Sequence, residues 1–125
     1  MVGLINTLLR PLAMLTLFLM LGACTREAPI KESDFIGKWK SSKLETPLYL
    51  YPNGEWEIKT DAGDVLQYGV WQYDKQLIWS YKVNGSVGYD KNDVLAMAAN
   101  EFSLKEQDGS TTSFTRLGDL QAAPR

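Results

Sequence analysis

The chain has 125 residues, 45% of them apolar and 22% charged, with a formal net charge of -2. That length suits one domain with a modest core and is too short for two. The charge balance provides no basic face, so no nucleic-acid partner is expected.

Residues 1–23, "MVGLINTLLRPLAMLTLFLMLGA", carry one charge at Arg10 and then an apolar run that ends in small residues before Cys24. This is the n-region, h-region and cleavage pattern of an export signal. A spanning helix needs about 20 consecutive apolar residues. The run after Arg10 is shorter and is followed at once by the polar "TREAPIKES". Leu21-Gly22-Ala23-Cys24 resembles the bacterial lipobox. The resemblance implies cleavage before Cys24, a thioether-linked diacylglycerol on its sulfur and acylation of the new amino terminus. Several chains anchor stably where one binds marginally, because each buried methylene contributes about 0.8 kcal/mol. Removal of Arg10 from the 13 basic residues leaves 12 against 15 acidic ones, a mature net charge of about -3. Enterobacterial-type lipoproteins carry Asp after the lipidated cysteine when they stay in the inner membrane. Thr25 stands there in this chain, so the expected location is the outer membrane, with the domain facing the periplasm. Residues 24–33 read as the lipidated tether, 34–117 as the folded domain and 118–125 as a tail.

From Asp34 onward, turn signals recur: "YPNGE" at 51–55, "DAGD" at 61–64, "YDKQ" at 73–76, "VNGS" at 83–86 and "QDGS" at 107–110. Several contain the Asn-Gly or Asp-Gly pairs that hairpins prefer. Between them the sequence alternates, as half-buried strands do. Four Trp, six Tyr and four Phe are many for this length and favour strands and buried aromatic contacts. About eight strands are predicted: 37–43, 47–51, 55–60, 65–73, 76–83, 86–90, 93–98 with 101–106, and 111–117. The seventh region reads as one strand bent near Asn100 or as two. "NDVLAMAANE" is the one segment with helical character, since Asn92 or Asp93 would cap it, but it is short. Tight turns between consecutive strands give an antiparallel meander. Closing it removes the exposed edges. The predicted fold class is therefore all-β, an antiparallel up-and-down barrel.

"FIGKWK", "LYLYPNGEWEI", "YGVWQYDKQLIW", "VLAMAANEFSL" and "SFTR" resemble the small bacterial lipocalin-like domains, over residues 35–116. In the wider lipocalin and fatty-acid-binding superfamily a first-strand Trp closes the barrel floor and a basic residue of the last strand packs across it. The resemblance places these structural roles on Gly37, Trp39 and Arg116. Strand parity agrees, since Gly37 with Trp39 and Phe114 with Arg116 each share a face.

Alternation sends Leu48, Leu50, Trp56, Ile58, Trp79, Tyr81, Phe102, Leu104 and Phe114 inward. Strands of roughly seven residues make a barrel about 18 Å tall. That set fills most of such a volume, which predicts a packed core with a shallow mouth. No enzyme chemistry is expected: the chain has no histidine, and its only cysteine is the acylated one. It also lacks a nucleophile elbow and a Gly-rich phosphate loop. Asp61 with Asp64, and Asp90 with Asp93, read as solvated turn residues, so no metal and no cofactor is expected. Two non-enzymatic classes remain. One is a carrier of a small hydrophobic ligand, which would contact Trp56, Trp79, Tyr81 and Phe102. The other is an envelope protein-interaction module or inhibitor with a packed barrel, for which outward Tyr49 and Tyr51 are the candidate partner surface.

Overall fold

The structure, a computed structural model, describes residues 28–120. The segment read as an export signal, Cys24 and the end of the tail lie outside the described residues. A 3-10 turn, Glu32–Phe35, leads into eight strands: β1 Gly37–Ser41, β2 Leu48–Leu50, β3 Glu55–Lys59, β4 Val65–Asp74, β5 Gln76–Val83, β6 Ser86–Ala98, β7 Glu101–Lys105 and β8 Thr111–Gly118. Each pairs antiparallel with the next, and β8 returns to β1, closing an up-and-down barrel.

The tight turns form where turn residues were predicted. At the β5–β6 hairpin Val83 pairs with Ser86, and the two loop residues Asn84 and Gly85 both have positive φ, 51° and 81°. That is the left-handed pair which suits the twist of a two-residue hairpin and which Asn-Gly adopts at low cost.

One division of the chain differs from the expectation. The segments 86–90 and 93–98 are a single strand, β6, and 101–105 is a separate one across a two-residue turn at Ala99 and Asn100. The run Asp90-Lys91-Asn92-Asp93 looks like a turn by composition. In the barrel its residues alternate instead: Asp90 and Asn92 pair with inward Trp79 and Leu77, while Lys91 pairs with Ile78 and Asp93 with Gln76. Two of these side chains, Asn92 and Asp93, are hydrogen-bonded across strands and so fit the ladder. Asn92, for example, accepts from Trp79 Nε1 at 2.9 Å and donates to the Lys105 carbonyl at 3.1 Å. The helical alternative for this segment is likewise replaced by strand.

The barrel is packed at one end. Trp39, Phe35 and Phe102 are fully buried there, with Phe102 edge-on to Trp39 at 4.6 Å and stacked on Phe114 at 4.5 Å between centroids. The 3-10 turn supplies Phe35 as a plug, docked on β4 where the Tyr73 N–H donates to Glu32 Oε2 at 3.3 Å. Trp39 Nε1 donates to the Phe35 carbonyl at 2.9 Å, joining plug and first strand. Arg116 lies across this end, its Nε, Nη1 and Nη2 donating to the carbonyls of Ala99, Ile36 and Asp34. Gly37 is held at φ 150°, and a Cβ there would collide with Arg116 Nη1, so this position admits the guanidinium only because it is glycine.

Candidate functional site

The nine residues assigned inward all belong to the core cluster or pack against it. They do not fill the barrel, which corrects the expectation of a packed core with a shallow mouth. Strands β4, β5 and β6 have 10, 8 and 13 residues, against 5, 3 and 5 in β1, β2 and β3, so one side of the wall is taller than a uniform seven-residue barrel allows. Above the aromatic floor lies a cavity of about 1070 Å³, open at the end opposite Arg116 and comparable to sites that hold drug-sized ligands.

Two wall glycines help to keep this space open. A Cβ on Gly88 would lie 2.6 Å from the Tyr81 ring, and one on Gly69 would lie 2.7 Å from Trp56 Nε1. Each aromatic side chain therefore lies down against a glycine of the neighbouring strand, leaving lumen where a side chain standing off the wall would fill it. Volume summed from the sequence overestimates the filling for this reason.

Trp56, Trp79 and Tyr81 line the cavity, as expected of three of the four candidate ligand contacts. Phe102 does not. It lies in the floor between Trp39 and Phe114, because its parity is inward but its height is that of the closed end. Trp56 and Trp79 meet edge to face, 6.1 Å apart at 88°. Both indole N–H groups are turned into the wall, Trp56 Nε1 to the Ser80 carbonyl at 3.2 Å and Trp79 Nε1 to Asn92 Oδ1 at 2.9 Å.

Sequence reasoning missed the polar part of this wall. Asn92, 4% exposed, also donates to Glu106 Oε2 at 3.2 Å, and Thr112 Oγ1 donates to Glu106 Oε1 at 2.7 Å. Asp90, the direct cross-strand partner of Trp79, faces the same cavity. The available signal was parity: Asp90 and Asn92 are two apart and in phase with Val94 once 86–98 is read as one strand. Asp90 and Asp93 consequently point to opposite faces, Asp93 accepting from Gln76 Nε2 at 2.8 Å outside. Asp61 is the exposed partner of Lys38 at 3.4 Å. At the rim, Asp108 is held below its ordinary carboxylate value, first by the Ser110 hydroxyl at 2.6 Å and then by the Ser110 N–H at 2.9 Å.

No family model, curated protein or solved structure matches the chain.

Tyr49 and Tyr51 point out of the barrel, as their parity requires, but they are not a free surface. They are only 8% and 1% exposed, and they stack on each other at 6.1 Å. The Lys59 ammonium sits 4.5 Å from the Tyr49 ring centroid and donates to Tyr51 Oη at 3.1 Å, while Tyr51 donates to Glu57 Oε1 at 2.7 Å. Long lysine side chains cover the rings that alternation alone left exposed. Burial, and next the hydrogen bond to Glu57, raise the Tyr51 phenol above its ordinary 10.0. The hydrogen bond to Tyr51 raises Lys59 above its ordinary 10.5. These residues hold the wall together, which withdraws them as a candidate partner surface.

Proposed function

We propose that the barrel is a non-enzymatic binding domain for a small hydrophobic ligand, carried by a lipid-anchored bacterial envelope protein. The observation that carries this reading is the cavity: about 1070 Å³, walled by Trp56, Trp79, Tyr81, Leu48, Ile58 and Phe114. Its rim adds Leu44, Leu66, Val83 and Val87, which are 45%, 58%, 50% and 53% exposed. Apolar groups at a concave mouth are costly to leave in water, and an apolar ligand relieves that cost. The closed eight-strand barrel with Trp39 beneath Arg116 is compatible with the lipocalin-like resemblance of residues 35–116. Fold alone assigns no ligand. The lipobox at Leu21–Cys24 and Thr25 after it support acyl anchoring in the outer membrane, with the barrel in the periplasm.

The test is organic extraction and native mass spectrometry of the chain purified from the envelope, with tryptophan emission recorded before and after delipidation. The expected result is about one equivalent of a retained apolar small molecule, with an emission shift on its removal from beside Trp56 and Trp79. A protein that retains nothing, and whose emission no apolar probe changes, overturns the reading in favour of a protein-interaction role.

A further inference from the structure

Resting on the carrier reading above, we propose that the ligand is an amphiphile with a cationic, ammonium-type head, held by the faces of Trp56, Trp79 and Tyr81 and the carboxylates of Asp90 and Glu106.

Hydrogen-bond supply and demand inside the cavity point to this head group. An anionic head needs donors. The two indole N–H groups are committed to Ser80 and Asn92. Both protons of the Asn92 amide are committed to the Lys105 carbonyl and to Glu106, and the Thr112 hydroxyl proton to Glu106. The cations are badly placed for an anion in the lumen: Lys82, at the cavity edge, alternates with Tyr81 and Val83 and so lies on the outer face. Arg116 lies at the closed end, where its three nitrogens donate to backbone carbonyls. Lys43, at the rim, donates to Ser110 Oγ at 2.6 Å.

Gln67 and the Tyr81 hydroxyl, which also line the cavity, can donate, but the charged side chains turned into it are carboxylates. Asp90 lines the cavity beside Trp79, and Glu106 retains lone pairs beyond the two hydrogen bonds it accepts. A carboxylate head would therefore meet like charge in a partly desolvated space. A neutral apolar ligand would take water from Asp90 without replacing its hydrogen bonds. An ammonium group meets both demands. Its charge is complementary to Asp90 and Glu106, and indole and phenol faces attract cations, most strongly when water is excluded. Turning the indole N–H edges into the wall is what leaves Trp56 and Trp79 contributing ring surface to the lumen. The alkyl part then lies along Leu48, Ile58 and Phe114 toward the apolar rim.

The test uses the full chain reconstituted in neutral digalactosyl-diacylglycerol vesicles, titrated by tryptophan emission with octyltrimethylammonium, octanol and octanoate against protein-free vesicles. The expected order places the ammonium at least about tenfold tighter than either of the others. Asp90→Asn should remove most of that preference, by weakening the ammonium and by leaving octanol no weaker, since the carboxylate that octanol dehydrates is gone. Asp90→Lys should turn the preference toward octanoate. If octanol or octanoate binds the wild type as tightly as the ammonium, or if Asp90→Asn leaves the preference intact, the head-group assignment is overturned and the carrier reading stands. If none of the three binds, the carrier reading falls and takes this inference with it.

Discussion

Arg116 lies over the Trp39 ring, its guanidinium carbon 4.3 Å from the ring centroid, and the two residues are direct partners across the seam between the last strand and the first. The contact is where the sheet becomes a barrel. Trp39 is fully buried, and Arg116 ties that end to the plug segment through Asp34 and Ile36 and to the β6–β7 turn through Ala99. A double-mutant cycle with Trp39→Leu and Arg116→Met, followed by urea unfolding, should give a coupling of about 1–2 kcal/mol. Additive losses within about 0.5 kcal/mol would mean that the closure does not depend on this pair.

The seam was legible in the sequence because its signals are local: Gly-x-Trp and Phe-x-Arg fix parity, and parity fixes the face. Strand positions apart from the division within β6 were legible for the same reason, as turn chemistry and alternation both act over a few residues. The lumen was not. Whether Phe102 lines a cavity or a floor depends on its height in the barrel, and whether Tyr81 fills space depends on a glycine on the next strand. Both are relations between segments that register brings together. The polar wall was hidden differently: Asp and Asn read as turn formers until Trp79 and Glu106 are seen to satisfy Asn92 across strands.

The outer-wall network of Tyr51, Glu57 and Lys59 gives a pH prediction. The Tyr51 and Lys59 values both lie above their ordinary 10.0 and 10.5, so the folded state holds these protons more tightly than the unfolded chain. Stability from this source is complete below about pH 10 and is lost as pH rises through the folded-state values. Unfolding midpoints in urea should therefore fall steeply above pH 10. Tyr51→Phe should flatten that fall and cost about 1.5–3 kcal/mol at pH 7, the range for a hydrogen bond to a charged group. An alkaline limb as steep in the Phe variant as in the wild type would place the titrating groups elsewhere.

The proposed anchoring rests on Cys24. Metabolic labelling with an alkyne palmitate should tag the wild type, and Cys24→Ser should lose the tag and remain as an uncleaved precursor. A labelled Ser variant, or a mature terminus at another residue, would refute acylation at this position. Sucrose-gradient separation of the labelled protein should place it in the outer-membrane fraction if Thr25 directs sorting as expected.

Gly88 is the position at which lumen volume can be changed with least disturbance of the wall. Its φ lies outside the left-handed region, so alanine there meets no backbone penalty, and the three nearest atoms to an added Cβ all belong to the Tyr81 side chain at 2.6–3.1 Å. A side chain can move where a backbone cannot, and Gly69 makes the contrast: its Cβ would collide with the Ser80 carbonyl, so Gly69→Ala should unfold the barrel locally or lower its midpoint sharply. In Gly88→Ala the Tyr81 ring should swing off the wall and into the cavity. Overpacking of this kind costs about 1–3 kcal/mol, and here the cost should appear mainly in the bound state, as roughly fivefold or more weaker binding of an octyl-chain probe. The thermal midpoint should move by only a few degrees. Adding Tyr81→Leu to Gly88→Ala removes the displaced ring and should restore affinity for a neutral probe such as octanol. If the single variant binds as well as the wild type, Tyr81 has room to move without entering the lumen, and the glycine is not what keeps the cavity open.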